Sequence, residues 1–409
     1  MGLGLTIWYP VGKGKGTDKK SYENYFRKIA SIVPDWETES YFDENGFCVK
    51  IVPFEENVYG SWEEGMLCIT AKTSSAGPGY HAYLVELLDK MGIHPLKVED
   101  ETEYYEHRDF GLLQSSMMGW LKALSERIIE MAGESYSILS INMPLDTVPA
   151  ENGRFACCPL GYIEKEFFER AERNEVSGQE FFVWWNEQQD AKLYKNCAMS
   201  LMWCDINWLA PETEVEQRAI RAALSCLEKA YSMDSKQDYP AAEWMELAQL
   251  SEDRELMNKL KAIFGEGETP SVGYLRKNIN SSINGWRVEH SGMMHYELDD
   301  NGTKVWWDDD MTIRASTITV KFKEDVENKS ESLLKSVLEG ETDYERFSLR
   351  NQETPAAIQH TQIEEDGELL WQTRLFAASE NVFLIISIYY PERALREKAI
   401  EICSSVVAP

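Results

Sequence analysis

Residues 70–92, Thr70-Ala-Lys-Thr-Ser-Ser-Ala-Gly-Pro-Gly-Tyr-His-Ala-Tyr-Leu-Val-Glu-Leu-Leu-Asp-Lys-Met-Gly92, read as the end of a strand, a loop of small residues and the opening of a helix. Met66 to Thr70 has strand composition, Pro78 suits a first helical position, and Leu84, Leu87, Leu88 and Met91 share one helical face. A helix that starts in this way presents unpaired amides to an anion, which makes Ser74, Ser75, Gly77, Gly79 and His81 candidate ligand contacts. The stretch completes no phosphate-binding pattern, and its simpler reading is a tight turn that lets helix and sheet pack closely.

Around this unit, residues 1–160 alternate strand and helix signals, with strands at 3–9, 46–53, 66–72 and 135–143 and helices at 20–33, 78–91 and 112–132. Helix signals dominate 161–267. Thr213-Glu-Val-Glu216 is a capping box, Pro240 opens the next helix, and a further helix over 252–264 stops at Gly265, read as a left-handed cap. Trp184 and Trp185 are read on a helix within the core. Gly265 to Pro270 has linker composition, which predicts a C-terminal domain over 268–409 whose fragment 271–409 folds alone. There, Asn301-Gly302 between 294–298 and 304–307 is a hairpin signal, followed by strands at 312–322, 356–363, 368–378 and 382–390. Helices are expected at 329–339 and 391–404. The expected class is α+β: an N-terminal α/β layer domain, a helical middle segment, and a C-terminal antiparallel sheet covered by helices on one face.

The chain has 409 residues and a formal net charge of −29, with 43% hydrophobic and 11% aromatic residues. Such a charge argues against nucleic-acid binding, which needs clustered Lys and Arg, and favours a basic partner. The longest apolar run, around 382–390, is too short to cross a bilayer, and the N-terminus has no secretory pattern, so a cytoplasmic protein is expected. The eight cysteines form no C-x-x-C pair and read as reduced core residues, with Cys157-Cys158 the place where oxidation or a soft metal would act. Neither cofactor nor metal is expected.

Trp203-Cys-Asp-Ile-Asn-Trp208-Leu-Ala-Pro211, Ala230-Tyr231-Ser-Met-Asp234, Tyr239-Pro240-Ala-Ala-Glu243-Trp244, Gly273-Tyr274-Leu-Arg276 and Gly285-Trp286 resemble an uncharacterised family of bacterial proteins. That family brings no known activity, so the resemblance implies no catalytic residue. The element order after Gly285-Trp286, with a mid-domain helix, three strands and a final helix, resembles the Mog1/PsbP-like α/β sandwich. This resemblance implies a binding or accessory module.

Three groups of residues are weighed for chemistry. Lys13 and Lys15, in the glycine loop 12–17, form a basic island suited to a phosphate, though the spacing is not that of a P-loop and a simple connection is the plainer reading. His81, in the first turn of its helix, is the best-placed acid–base group, with Cys68 as a conceivable nucleophile; packing or capping is the plainer role. His290 and His295, five apart, are read as facing opposite sides of a strand. The runs Glu99–Glu101, Asp308–Asp310 and Glu364–Asp366 read as solvated turns, and Trp306 and Trp307 beside Asp308, Asp309 and Asp310 form a candidate partner surface. These readings lead to a non-enzymatic interaction protein that neutralises a basic toxin or effector in an immunity-like role. The alternatives are a hydrolase or transferase acting on an anionic small molecule at loops 12–17 and 73–81, and a helical peptide-binding scaffold.

Overall fold

The computed structural model describes residues 2–12, 16–131, 139–141, 147–149, 156–265, 269–322, 327–350, 353–365 and 367–409. Lys13, Lys15, Asp366 and most of the expected strand at 135–143 lie outside them. The chain divides into two compact units, one of residues 1–143, 152–206 and 210–273, the other of 144–151, 207–209 and 274–409. The regions expected as a layer domain and a separate helical segment thus belong largely to the first unit.

In that unit, β1 (Gly4–Pro10), β2 (Glu39–Phe42), β3 (Gly46–Lys50), β4 (Val58–Glu63), β5 (Met66–Lys72) and β6 (Lys97–Asp100) form one sheet in the order β2-β3-β4-β5-β1-β6. Every pairing is antiparallel. Because β5 and β6 both run against β1, they run parallel to each other, and α2 (Pro78–Asp89) carries the chain between them past one intervening strand. Burial alternates along β1, so Leu5, Ile7 and Tyr9 enter the core while Thr6 and Trp8 stay on the opposite face. On the core side, α1 (Lys19–Phe26) packs Tyr22 against Tyr9 and Phe26 against Phe47. The opposite face is open, and one row crosses all six strands in register: Glu99, Thr6, Thr70, Tyr59, Cys48 and Tyr41. Tyr41 and Tyr59 are 66% and 52% exposed.

Helices α3 (Tyr104–His107) and α4 (Phe110–Met131) follow β6. The short strands β7 (Leu139–Ser140), β9 (Ala156–Cys158) and β10 (Gly161–Ile163) form a small sheet of their own. Five helices then follow: α5 (Lys165–Glu172), α6 (Ala191–Cys204), α7 (Glu214–Met233), α8 (Ala241–Leu250) and α9 (Arg254–Phe264). The capping box at Thr213 is formed in both directions, and Pro240 precedes α8 as expected. Gly265 ends α9 at φ +80° and ψ −156°, outside the left-handed helical region that the sequence suggests. Trp184 is buried but not helical, because its backbone is bonded to the loop after β5 instead.

The second unit contains β8 (Thr147–Pro149), β11 (Asn278–Ile283) and β12 (Trp286–Ser291) in one small sheet. A seven-stranded antiparallel sheet is made from β13 (His295–Leu298), β14 (Lys304–Trp307), β15 (Thr312–Thr319), β16 (Tyr344–Phe347), β17 (Ala356–Glu365), β18 (Glu368–Ser379) and β19 (Val382–Tyr390). Its order is β13-β14-β15-β19-β18-β17-β16. Strand alternation makes this sheet two-sided. Leu384, Ile386 and Ile388 join a core with Trp286, Val288, Ala399 and Cys403, whereas Phe383 and Phe376 join one with Leu333 and Leu334. So α11 (Arg396–Ser404) with β12 covers one face and α10 (Lys329–Val337) the other. The expected cover on a single face is corrected: β18 and β19 are apolar on both sides, as a central strand buried twice must be.

Candidate functional site

The loop after β5 is enclosed. Thr73, Ser74 and His81 have no exposed surface, Ser75 is 7% exposed, and Gly77 and Gly79 are buried. The amides of Thr73 and Ser74 donate to Leu3 O, that of Gly77 to Thr73 O, and that of Gly79 to Trp184 O at 3.1 Å, while Trp184 N donates back to Ala76 O at 2.8 Å. Gly77 adopts φ +113°, and a Cβ on Gly79 would lie 2.0 Å from Trp184 Cδ1 and 2.4 Å from Asn186 O. Close packing is therefore what these glycines provide.

A carboxyl group does sit at this helix start, and it belongs to the chain. Glu55, on the β3–β4 connection, accepts from the Ala76 amide at 2.5 Å through Oε2 and from the Glu56 amide at 2.8 Å through Oε1. Its carboxyl is 4% exposed, and burial outweighs those two amides, pushing it up to about 8. Ser74, Ser75, Gly77 and Gly79 thus surround an intramolecular acid and offer no open cradle.

His81 joins a hydroxyl and a carboxylate. Its Nδ1 lies 2.8 Å from Thr73 Oγ1, and its Nε2 lies 3.3 Å from Asp100 Oδ2 and 3.2 Å from Thr102 Oγ1. Asp100 also accepts from the Thr102 hydroxyl at 2.7 Å and from the amides of Thr102 and Tyr105, both at 2.8 Å. Burial pushes the Asp100 carboxyl up, but His81 and these donors outweigh it and hold the group at about 2. Hydroxyl, imidazole and carboxylate in series is the order used by nucleophilic hydrolases. Here all three are sealed, the Asp100 side chain being 3% exposed, and the network ties the end of β5, α2, β6 and the start of α3 together. The conceived pairing of His81 with Cys68 is absent: Cys68 neighbours Thr70 Oγ1 at 4.0 Å, and burial raises its thiol. Asp100 also corrects the reading of Glu99–Glu101 as a solvated turn, since alternation on β6 turns Glu99 out and Asp100 in.

In the second unit, Trp306 is 3% exposed and lies with its ring 4.8 Å from that of His290, while half-buried Trp307 stacks on His295 at 5.3 Å. The two histidines occupy different strands and not two faces of one. His290 bonds Ser281 Oγ at 2.8 Å and Ser291 O at 2.8 Å, and burial lowers it to about 4; His295 reaches Asn207 at 3.3 Å. Among the acidic triplet, Asp308 accepts the amides of Asp310 and Met311 and so shapes the turn, Asp310 pairs with Lys398 at 3.0 Å, and Asp309 is exposed. No cluster among the described residues has the ligand set of a metal site, and no helix among them is long and apolar enough to cross a membrane. The helices hold an apolar cavity of about 100 Å³ beside Tyr231, Trp244, Leu260 and Ile263, room for one side chain.

The geometry defines an α+β protein of two compact units. No protein-family model and no curated protein matches the chain. Among solved structures, a crystal structure from Bacteroides thetaiotaomicron is similar at 12% identity and a TM-score of 0.27, over 31% of this chain and 45% of that one. The solution structure of cyanobacterial PsbP (CyanoP) from Synechocystis sp. is similar at 11% identity and a TM-score of 0.21, over 35% of this chain and 99% of that one. The chain thus spans under half the length of the Bacteroides protein. Likenesses this distant carry no argument, and the class rests on strand order and register.

Proposed function

We propose that the protein is a non-catalytic interaction protein of the bacterial cytoplasm whose partner is a basic protein, such as a toxin or effector that it neutralises. One observation carries the reading: the groups that look most like chemistry are sealed inside, with Glu55 filling the helix start and His81 at 0% exposure, while the chain carries a net charge of −29. Charge of this size steers a cationic partner and sets the association rate more than the final affinity. The resemblance of the C-terminal region to Mog1/PsbP-like accessory modules points the same way. The turn at Asp308–Asp310, beside half-buried Trp307, offers carboxylates next to an aromatic ring.

A lysine-rich peptide of about twenty residues tests this by fluorescence titration at two salt concentrations. Changing Asp309→Lys with Asp310→Asn, and leaving Asp308 to hold its turn, is expected to weaken capture about fivefold and to flatten its salt dependence. Glu63→Lys with Glu64→Gln, an equal change of charge elsewhere, is expected to cost under about twofold. Equal losses from the two pairs would mean that net charge alone acts, and the turn would have no part.

A further inference from the structure

The cavity of about 100 Å³ is lined by residues of α7, α8 and α9. Glu228, Tyr231 and Ser232 stand three and four residues apart on one face of α7, and Leu256, Lys259 and Leu260 do the same on α9. From α8 comes Trp244, 2% exposed, its ring edge-on to that of Tyr231 at 5.9 Å. Leu256 and Leu260 are buried and Tyr231 is half-buried, whereas Glu228, Ser232 and Lys259 are exposed. The cavity thus has an apolar floor and a polar mouth.

Ser232 accounts for the space. Its hydroxyl donates to Lys229 O at 2.7 Å, back onto its own helix, and so short a side chain fills little of the gap that it borders. Apolar walls of this kind are short of dispersion contacts, which a guest of matching volume supplies. At the mouth, Glu228 and Lys259 bring opposite charges from different helices, and neither forms an ion pair or a side-chain hydrogen bond among the described residues. Opposite charges that border one cavity without bonding each other suit a guest that carries both signs beside an apolar group.

We propose that this cavity binds a free aliphatic amino acid, its side chain seated against Tyr231, Trp244, Leu256 and Leu260, its ammonium at Glu228 and its carboxylate at Lys259. Volume selects the side chain. An apolar cavity of about 150 Å³ accepts benzene, so two thirds of that volume takes about four carbons, the branched chain of leucine or isoleucine, and an indole is too large. The mouth selects the zwitterion, since a carboxylate alone leaves Glu228 without a counter-charge and an amine alone leaves Lys259 without one. The site is independent of the partner reading: it lies in the other unit from the Asp308–Asp310 turn, and a zwitterion gains nothing from a net charge of −29.

Titration of the full chain with L-leucine, followed by nuclear magnetic resonance at the Trp244 indole N–H, tests the assignment. Leucine is expected to shift this signal saturably, with a Kd in the millimolar range. The same skeleton without the ammonium, 4-methylpentanoate, and without the carboxylate, 3-methylbutylamine, are each expected to bind about fivefold more weakly. Glu228→Gln and Lys259→Gln, at exposed positions, are each expected to weaken leucine by about the same factor. Ser232→Leu fills the cavity from its lip and is expected to abolish binding. Thermal unfolding establishes that each variant is folded, and the two charge variants keep the test open should Ser232→Leu fail to fold. No saturable shift with leucine up to about 50 mM, or unchanged affinity in both charge variants, would overturn the proposal. So would equal affinity for N-acetyl-leucinamide, an uncharged stand-in for a leucine within a partner's chain, or tighter binding of tryptophan.

Discussion

Glu55 and Asp100 carry opposite pH signatures within one unit. Glu55 rises from the usual 4.5 to about 8 on burial, so the folded chain holds a proton that the unfolded chain gives up. The stability it contributes is complete below about pH 4.5 and is lost as pH rises to about 8. Asp100 falls from 3.8 to about 2 once His81 and the amides outweigh its burial, so its contribution is present above about pH 4 and is lost as pH falls toward 2. Between pH 5 and 8 the Glu55 term therefore acts alone of the two. Glu55→Gln keeps an acceptor for the Ala76 amide and abolishes the titration, and it is expected to remove a stability loss on the order of 3–5 kcal/mol between pH 5 and pH 8, read from urea unfolding. The same pH slope in the variant would mean that Glu55 is ionised throughout. Of these residues only His81 stood out in the sequence. Glu55 lies in Val52-Pro-Phe-Glu-Glu56, which matches no motif, and Asp100 hides between two glutamates until the register of β6 separates inward from outward side chains.

Helix α2 owes its position to a strip of backbone, residues 181–186, that has no regular structure of its own. Trp184 brackets the loop with one amide and one carbonyl, and the two glycines allow the approach. Gly79→Ala is expected to cost about 1–3 kcal/mol, because the added Cβ meets the Trp184 ring and the Asn186 carbonyl. Gly119→Ala is the control: it lies exposed within α4 with nothing within 4 Å of its Cβ position, and it is expected to stabilise by about 0.5–1 kcal/mol. Thermal unfolding of both separates packing from helix propensity, and a neutral Gly79 variant would show that the loop has room to relax. Elements with strong apolar periods were legible: β5 and β19 fall at the expected 66–72 and 382–390. Strands β2, β4 and β6 were not, because Glu39-Ser-Tyr-Phe42 and Lys97-Val-Glu-Asp100 are short polar edges and β4 carries Gly60 at its centre. The Trp184 strip escaped notice since its partner is a loop about a hundred residues earlier, and tertiary contact holds Trp184 and Trp185 out of a helix.

Composition fixed the class well, while the division of the chain followed contacts that no linker marks. Gly265 to Pro270 lies near the last crossing, but the second unit also takes in 144–151 and 207–209. From these come β8, which pairs with β11, and Asn207 and Trp208, which meet His295 and Arg276. A fragment of residues 271–409 lacks all of them. It is expected to unfold about 2–4 kcal/mol more readily than the same unit within the full chain, measured by denaturant titration with a probe in the seven-stranded sheet. A transition identical to that of the full chain would show that the borrowed segments contribute nothing.

That borrowing also sets a timetable for synthesis. Val148 pairs with Asn280, so β8 leaves the ribosome roughly 130 residues before its partner exists, a wait of about 7–26 s at 5–20 residues per second. Throughout that interval a strand edge stands available to any other chain in reach. Slower decoding of codons beyond residue 280 would give the nascent strand time to find β11, whereas truncated products ending before it should enrich in aggregates and in chaperone complexes.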